Sequence, residues 1–298
     1  MTQSNFNALM ERIVAARPSH EKFVHEAIAS LTPAEVGEGE AYIDHLLEQH
    51  EMQYLVGSYL TILDDTMEAQ IEFLREKRYR HSRFDEVAAA VYFNREYMTK
   101  YMIGLAITEF LWPNHILIRR FFAESFPETK TGSYLEVGPG HGFFLLHAMK
   151  KGSLDRFLGI DISAASIALT DEIVSREASE LRSKLELREC DFLAPQAIDE
   201  KFDVIVMGEV LEHVEDPLAF LKGLKALAAP GAHIFITTCL NAPAIDHIYL
   251  FRTQSDVADL FAAAGMTIKD QRIIPHPGQS LERCVKNDLP INVAYVLE

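Results

Sequence analysis

Three stretches carry side chains whose types and spacing suit chemistry. The first is SYLEVGPGHG, from Ser133 to Gly142. It reads as a short buried strand that enters a glycine turn at Gly138, Gly140 and Gly142, with Pro139 between, and leaves as an apolar helix from Phe143. Such a strand–turn–helix brings backbone N–H groups and a helix N-terminus to a small polar ligand. The glycines permit left-handed backbone angles and leave no Cβ in the ligand's way. Glu136 closes the strand and would aim a carboxylate into the same crevice. An anion there disfavours a diphosphate and favours a ligand with an ammonium group, a sulfonium and a ribose diol.

The second stretch is EVLEHVEDP, from Glu209 to Pro217. If it begins with a helical turn, Glu209, Glu212 and His213 fall at i, i+3 and i+4 on one face. Asp216 and Pro217 read as the cap and first residue of the next helix. The third stretch, NAPAIDHIY from Asn241 to Tyr249, follows a predicted strand and so reaches the same edge of the sheet. His247 there would complete a set of two carboxylates and two imidazoles. Such mixed oxygen and nitrogen donors suit a divalent metal ion, with Glu209, Glu212, His213 and His247 as its ligands. Without a metal, His213 or His247 is the expected general base. His141, inside the glycine turn, is expected to face solvent, with contact to substrate the alternative.

The elements that must position these groups alternate from about residue 133 onward. Strands are expected at 133–137, 156–160, 185–189, 202–206, 232–238, 266–274 and 291–298. Helices are expected at 142–151, 163–181, 217–228 and 253–264. Alternation with buried apolar strands means a mostly parallel, doubly wound α/β sheet of seven strands. The last two strands show no helix between them, so the final strand is expected to be antiparallel, at the sheet edge. Asp161 ends the second strand, where a carboxylate can accept both hydroxyls of a ribose. Asp191 follows the third and could accept an adenine amino group, with Ile162 or Phe192 packing on the ring.

Residues 1–128 read as all-helical. Thr32-Pro33-Ala34-Glu35 is a capping box with proline at the first helical position. Gly37 and Gly39 are expected to loosen the chain that follows. Long helices are expected from about Ala41 to Arg80 and from Phe84 to Phe110, the second capped by Ser82, and a last one from Ile116 to Phe126. Ser19 is expected to cap an earlier one. The segment Pro127 to Gly132 is the expected boundary between this half and a second domain over residues 129–298.

The glycine turn and its acidic stations resemble the class I S-adenosylmethionine-dependent methyltransferases, over residues 129–298. That family's acidic residue followed by GxGxG is met by Glu136, Gly138, Gly140 and Gly142, its ribose position by Asp161 and its adenine position by Asp191. The ExxEH pattern of Glu209, Glu212 and His213, with the later His247, resembles the family's metal-dependent branch. The resemblance implies a Rossmann-like methyltransferase fold and S-adenosylmethionine as cofactor, held by Glu136, Gly138, Pro139, Gly140, Asp161, Ile162, Asp191, Phe192 and Glu209. It also implies methyl transfer to a small-molecule oxygen or activated carbon. A nicotinamide-dependent oxidoreductase and a non-catalytic cofactor-binding partner subunit are the competing readings. The nicotinamide fingerprint GxGxxG is not met, because Phe143 follows Gly142.

Composition narrows the field further. The chain has 298 residues, nearly half of them apolar, and a formal net charge of −16. Neither half is basic, so long-range repulsion disfavours a nucleic-acid substrate. Cys190, Cys239 and Cys284 are sparse and show no CxxC spacing, which fits a reducing, cytoplasmic setting. The N-terminus lacks the basic and apolar regions of a signal peptide. The apolar stretch from Tyr101 to Trp112 is interrupted by Thr108 and Glu109, so no membrane span is expected. The helical half is expected to cover the cofactor crevice or to build a homodimer interface.

Overall fold

The structure, a computed structural model, describes residues 4–128, 131–151, 153–194 and 198–298. Its N-terminal part holds helices α1 (Asn5–Ala16), α2 (Glu21–Ser30), α3 (Pro33–Leu46), α4 (Met52–Glu76), α5 (Phe84–Ala88), α6 (Arg95–Leu111) and α7 (Pro113–Ser125). The capping box is present: Thr32 accepts from the Glu35 amide, and the Glu35 carboxylate accepts from that of Thr32. Gly39 does not loosen the chain. It lies within α3, where a Cβ would come 2.8 Å from the Phe6 ring, so the glycine permits close helix packing. Both long helices expected from apolar spacing are broken. Residues 47–51 separate α3 from α4, and residues 89–94 separate α5 from α6, where the Asn94 side chain caps α6. Apolar periodicity runs through such breaks because both flanking helices bury the same face. Ser82 and Ser19 are not caps; Arg83 holds the first N-cap position, and Ser19 lies in a 3-10 turn, Pro18–His20.

The C-terminal part contains β1 (Ser133–Val137), α8 (Phe143–Lys151), β2 (Arg156–Asp161), α9 (Ala164–Glu177), β3 (Leu185–Glu189), β4 (Phe202–Gly208), α10 (Pro217–Leu227), β5 (Ala228–Leu240), α11 (Gln254–Ala263), β6 (Ile268–Pro275), α12 (Leu281–Asn287) and β7 (Ile291–Leu297). The strands form one seven-stranded sheet in the order β3-β2-β1-β4-β5-β7-β6. All neighbours are parallel except β7, which is antiparallel to both β5 and β6. The antiparallel strand is therefore inside the sheet and β6 is its edge. The physical reason is burial: every residue of β7 is buried, whereas β6 carries an exposed run from Lys269 to Arg272. A strand that is apolar but for one residue, here Asn292 bonded to Asn114, is best buried on both faces. A short helix, α12, also lies between β6 and β7 where none was expected. It buries only Cys284, so its apolar periodicity is weak.

The two faces of the sheet pack differently. One apolar core holds Phe202, Leu221, Phe261 and Tyr295 beneath α10 and α11. The other is continuous with the N-terminal helices: Phe122 of α7 lies 4.9 Å from Phe235 of β5 and 4.7 Å from Phe144 of α8, ring centre to ring centre. The boundary expected at residues 128 and 129 adjoins residues 129 and 130, which lie outside the described residues. Because one core spans α7 and the sheet, truncating it should destabilise both. Phe122→Ala is expected to lower stability by about 3–5 kcal/mol in urea titrations, with helical and sheet signals still lost in one transition.

Candidate active site

The carboxyl ends of β1, β2, β3 and β4 open on a single cavity of about 860 Å³, whose far wall is α6. Ligand clefts commonly span about 300–1,000 Å³, so this one is large. Glu136, Gly138, Pro139, Gly140, Asp161 and Ile162 line it as expected, together with Asp191, Phe192, Glu209, His213 and His247. Glu212 does not reach it; its side chain is buried beneath the wall.

The glycine turn is shaped as its sequence requires. Gly138 and Gly140 have φ of 75° and 56°, which L side chains rarely adopt. A Cβ on Gly138 would also stand 2.7 Å from Val210. Asp161 accepts hydrogen bonds from the amides of Ser163, at 2.8 Å, and Gly140, at 3.4 Å. Burial outweighs them and raises the Asp161 carboxyl to about 6. Glu136 is fully buried, accepts from the Tyr134 hydroxyl, and is pushed up to about 8 by burial. Asp191 is exposed and accepts from the Leu193 amide, and Phe192 packs against Phe220.

The edge after β4 differs from expectation. The segment is not an α-helical turn but a single 3-10 turn, Leu211–His213, and Glu209 stands before it with φ of 51°. Glu212 turns inward, where its carboxylate accepts from the Thr238 hydroxyl at 2.7 Å. Glu209 leaves one carboxyl oxygen buried with no partner. Burial raises both carboxyls, Glu212 far above the ordinary range because Glu209 stands beside it. His213, His247 and Glu212 place donor atoms within 4.8 Å of one another. Glu209 instead groups with Glu212 and Cys239. The four expected metal ligands thus form two overlapping clusters rather than one.

The imidazoles are oriented from behind. His247 Nδ1 donates to the Ala242 carbonyl at 2.6 Å, which leaves Nε2 with its lone pair. Burial and the neighbouring His213 push His247 down to about 3. His213 Nδ1 lies 2.9 Å from the Tyr92 hydroxyl, which donates to Asp246 at 3.0 Å, so His213 Nε2 is free as well. Tyr101 also donates to Asp246, at 3.3 Å. The two rings meet edge to face at 4.7 Å.

Asp246, Tyr92 and Tyr101 were not among the expected site residues. Tyr92 and Tyr101 carry no local signal, because aromatic residues at helical spacing read as core. Asp246 adjoins His247, and a buried acid beside an imidazole is the signal that could have found it. His141, expected to face solvent, instead lines the cavity, with Nε2 at 3.7 Å from Glu109 of α6. Carboxyl groups thus surround the cavity, while no lysine or arginine lines it among the described residues.

Residues 114–287 match a family model described as a methyltransferase domain. A ubiquinone biosynthesis O-methyltransferase of Coxiella burnetii is 29% identical over 128 residues, covering 42% of this chain and 52% of the relative. Its counterpart from Actinobacillus pleuropneumoniae is 35% identical over 109 residues, covering 35% of this chain and 44% of the relative. The chain spans about half the length of the curated relatives it matches. Among solved structures, the mitomycin 7-O-methyltransferase MmcR superposes with a TM-score of 0.54 at 13% identity, covering 78% of this chain and 67% of that one. The StiE O-MT structure gives 0.50 at 13% identity over 64% of this chain and 76% of its own. These two likenesses show the fold.

The buried groups set a pH dependence for the ligand-free protein. Glu109, Glu136 and Asp161 are raised to about 7, 8 and 6 by burial, so the folded form holds their protons longer than the unfolded chain. The stability they contribute is present at low pH and lost as pH rises through those values. The half-buried imidazoles His115, His141 and His247 are pushed below 6.5 and act in the opposite sense, costing stability only as pH falls below 6.5. Between pH 6.5 and 8 the carboxyls dominate. The Tm of the ligand-free protein is expected to fall across that window in scanning calorimetry; a flat or rising Tm would contradict this.

Proposed function

The chain belongs to the methyltransferase-domain family of S-adenosylmethionine-dependent enzymes, and from that premise we propose that it methylates a hydroxyl oxygen of a small, largely apolar acceptor with the help of a divalent metal ion. The observation that carries this reading is one cavity that joins a carboxyl-lined glycine cradle to two imidazoles with free Nε2 atoms. The cradle fits S-adenosylmethionine. It has the space a Cβ would fill and a buried, unpartnered Glu209 oxygen, and its acid-rich wall would be balanced by a sulfonium and an ammonium. Asp161 would take the ribose hydroxyls, and Phe192 and Ile162 would flank the adenine near Asp191. The O-methyltransferase names of the relatives support oxygen as the acceptor atom.

Methyl transfer is an in-line displacement on an activated carbon. The chain must hold the nucleophile about 3 Å from the methyl group and keep it deprotonated. Met98, Met102 and Leu105 of α6 form an apolar wall that would pack the acceptor's body and exclude water. Glu212, His213 and His247 would hold the metal. Their fit rests on the two Nδ1 atoms engaged from behind, as ligating imidazoles usually are, and on the buried Glu212 carboxyl, which accepts from the neutral Thr238 hydroxyl and Cys239 thiol. When bound, a divalent cation would lower the pKa of a chelated hydroxyl. His247, near 3, is too weak a base to take a proton at neutral pH, which favours a ligand role for it.

A second reading is favoured by Asp246. With its Nδ1 3.4 Å from the Asp246 carboxylate, His213 can take the acceptor's proton on Nε2 without a metal. Elemental analysis and chelator treatment separate the two. Metal assistance predicts about one bound divalent ion per chain, lost in His213→Ala and His247→Ala, and an activity loss of about 10²–10⁴-fold with either variant or chelator. Activity unaffected by chelator, with His247→Ala mild and His213→Ala severe, would transfer the role to His213 as base.

A further inference from the structure

We propose that Glu109, contributed by α6 outside the segment that matches the family, is the anionic partner of the ammonium group on the amino-acid arm of S-adenosylmethionine. The inference rests on the methyl-donor reading above.

Glu109 is 9% exposed and faces the cavity. It belongs to the face Met98, Met102, Leu105 and Glu109 of α6, spaced as one side of a helix. Met98, Met102 and Leu105 are apolar, and Tyr101 at the margin of the face is hydrogen-bonded to Asp246, so the carboxyl is placed where packing alone would call for another apolar residue. Its neighbours are cationic or can become so, yet all stand back. His115 Nδ1 is 3.5 Å away, His141 Nε2 3.7 Å and Arg119 Nε 3.9 Å. Each is engaged elsewhere or kept neutral. His115 Nδ1 is closer to the Thr108 hydroxyl, at 2.8 Å. The Arg119 guanidinium lies over the Phe110 ring at 4.7 Å and also faces Glu38. Burial and the nearby cations hold His141 near 3, so it brings no charge, and its Nδ1 is buried with no partner. A buried carboxyl with only distant partners stays protonated or receives a cation. Burial raises this one to about 7, so a nearby cation would readily ionise it.

The topology says which cation can arrive. Along the sheet edge the order is β3, β2, β1, β4. A ligand with adenine at Phe192, after β3, and ribose at Asp161, on β2, carries its amino-acid arm across the glycine turn after β1. Helix α6 lies over that turn: a Cβ on Gly140 would be 3.4 Å from Met102 Sδ, and Glu109 faces His141 of the same turn. With no lysine or arginine on the wall among the described residues, the arm's carboxylate would go to the turn's N–H groups and its ammonium to Glu109.

Trp112, the sole tryptophan of the chain, lines the cavity and provides the readout. Wild type and Glu109→Gln are titrated by tryptophan fluorescence with S-adenosylhomocysteine, which keeps the ammonium, and with 5′-methylthioadenosine, which lacks the whole amino-acid arm. The expected result is a loss of about tenfold or more in affinity for S-adenosylhomocysteine, with methylthioadenosine binding unchanged. An unchanged affinity for S-adenosylhomocysteine, or an equal loss for both ligands, would overturn the assignment. Wild-type protein that binds neither ligand would instead refute the methyl-donor reading on which it rests.

Discussion

The structure is organised by an electrostatic imbalance. Carboxyl groups from β1, β2, α6 and the segments after β4 and β5 converge on one cavity, and no lysine or arginine lines it among the described residues. Burial, with Asp161 beside Glu136 and Glu209 near Glu109, raises Glu136, Asp161 and Glu109 well above the ordinary carboxylate range. An ionised carboxylate in such surroundings is costly unless a cation compensates it. A cationic cofactor at one end and a metal ion at the other would each discharge part of that cost. The same imbalance disfavours acceptors bearing carboxylates or phosphates, since no lysine or arginine stands on the wall among the described residues to pair with them.

The helical half is part of this site. Asp246, at the sheet end, is held by Tyr92 and Tyr101 from the helical half, and through Tyr92 the arrangement reaches His213. Met102 covers the glycine turn, and Tyr42 donates to the His141 carbonyl at 3.3 Å. The shared core around Phe122, Phe144 and Phe235 keeps these parts in register. Helices fixed to the sheet by a packed core can hold an acceptor pocket in constant geometry against the cofactor.

Much of the glycine turn and of the carboxyls around it was legible because their signals are local. A glycine needed at positive φ and a carboxylate at a strand end sit within a few residues of each other, so Glu136, Gly138, Gly140 and Asp161 could be found by spacing. Glu209 and His213 also reach the cavity, but the fine geometry between them did not follow. One positive-φ residue turned an expected helical face into a 3-10 turn and sent Glu212 inward. Asp246 is set by contacts across more than a hundred residues of chain, and Glu109 by a turn in the following half, and no periodicity reports those. Even so, Glu109 left a trace: it interrupts an otherwise apolar helical stretch, which was read only as an argument against a membrane span. The place of β7 was missed: the absence of a helix pointed to the edge, although its mostly apolar sequence is what burial between two neighbours requires.

The central claim is that this carboxyl-lined cavity takes S-adenosylmethionine. Titration calorimetry with S-adenosylmethionine and with NAD, on wild type and on Asp161→Ala, tests it most directly. The account predicts saturable binding of one S-adenosylmethionine per chain, weakened by about tenfold or more in the variant, and no binding of NAD. Saturable binding of NAD with none of S-adenosylmethionine would contradict it.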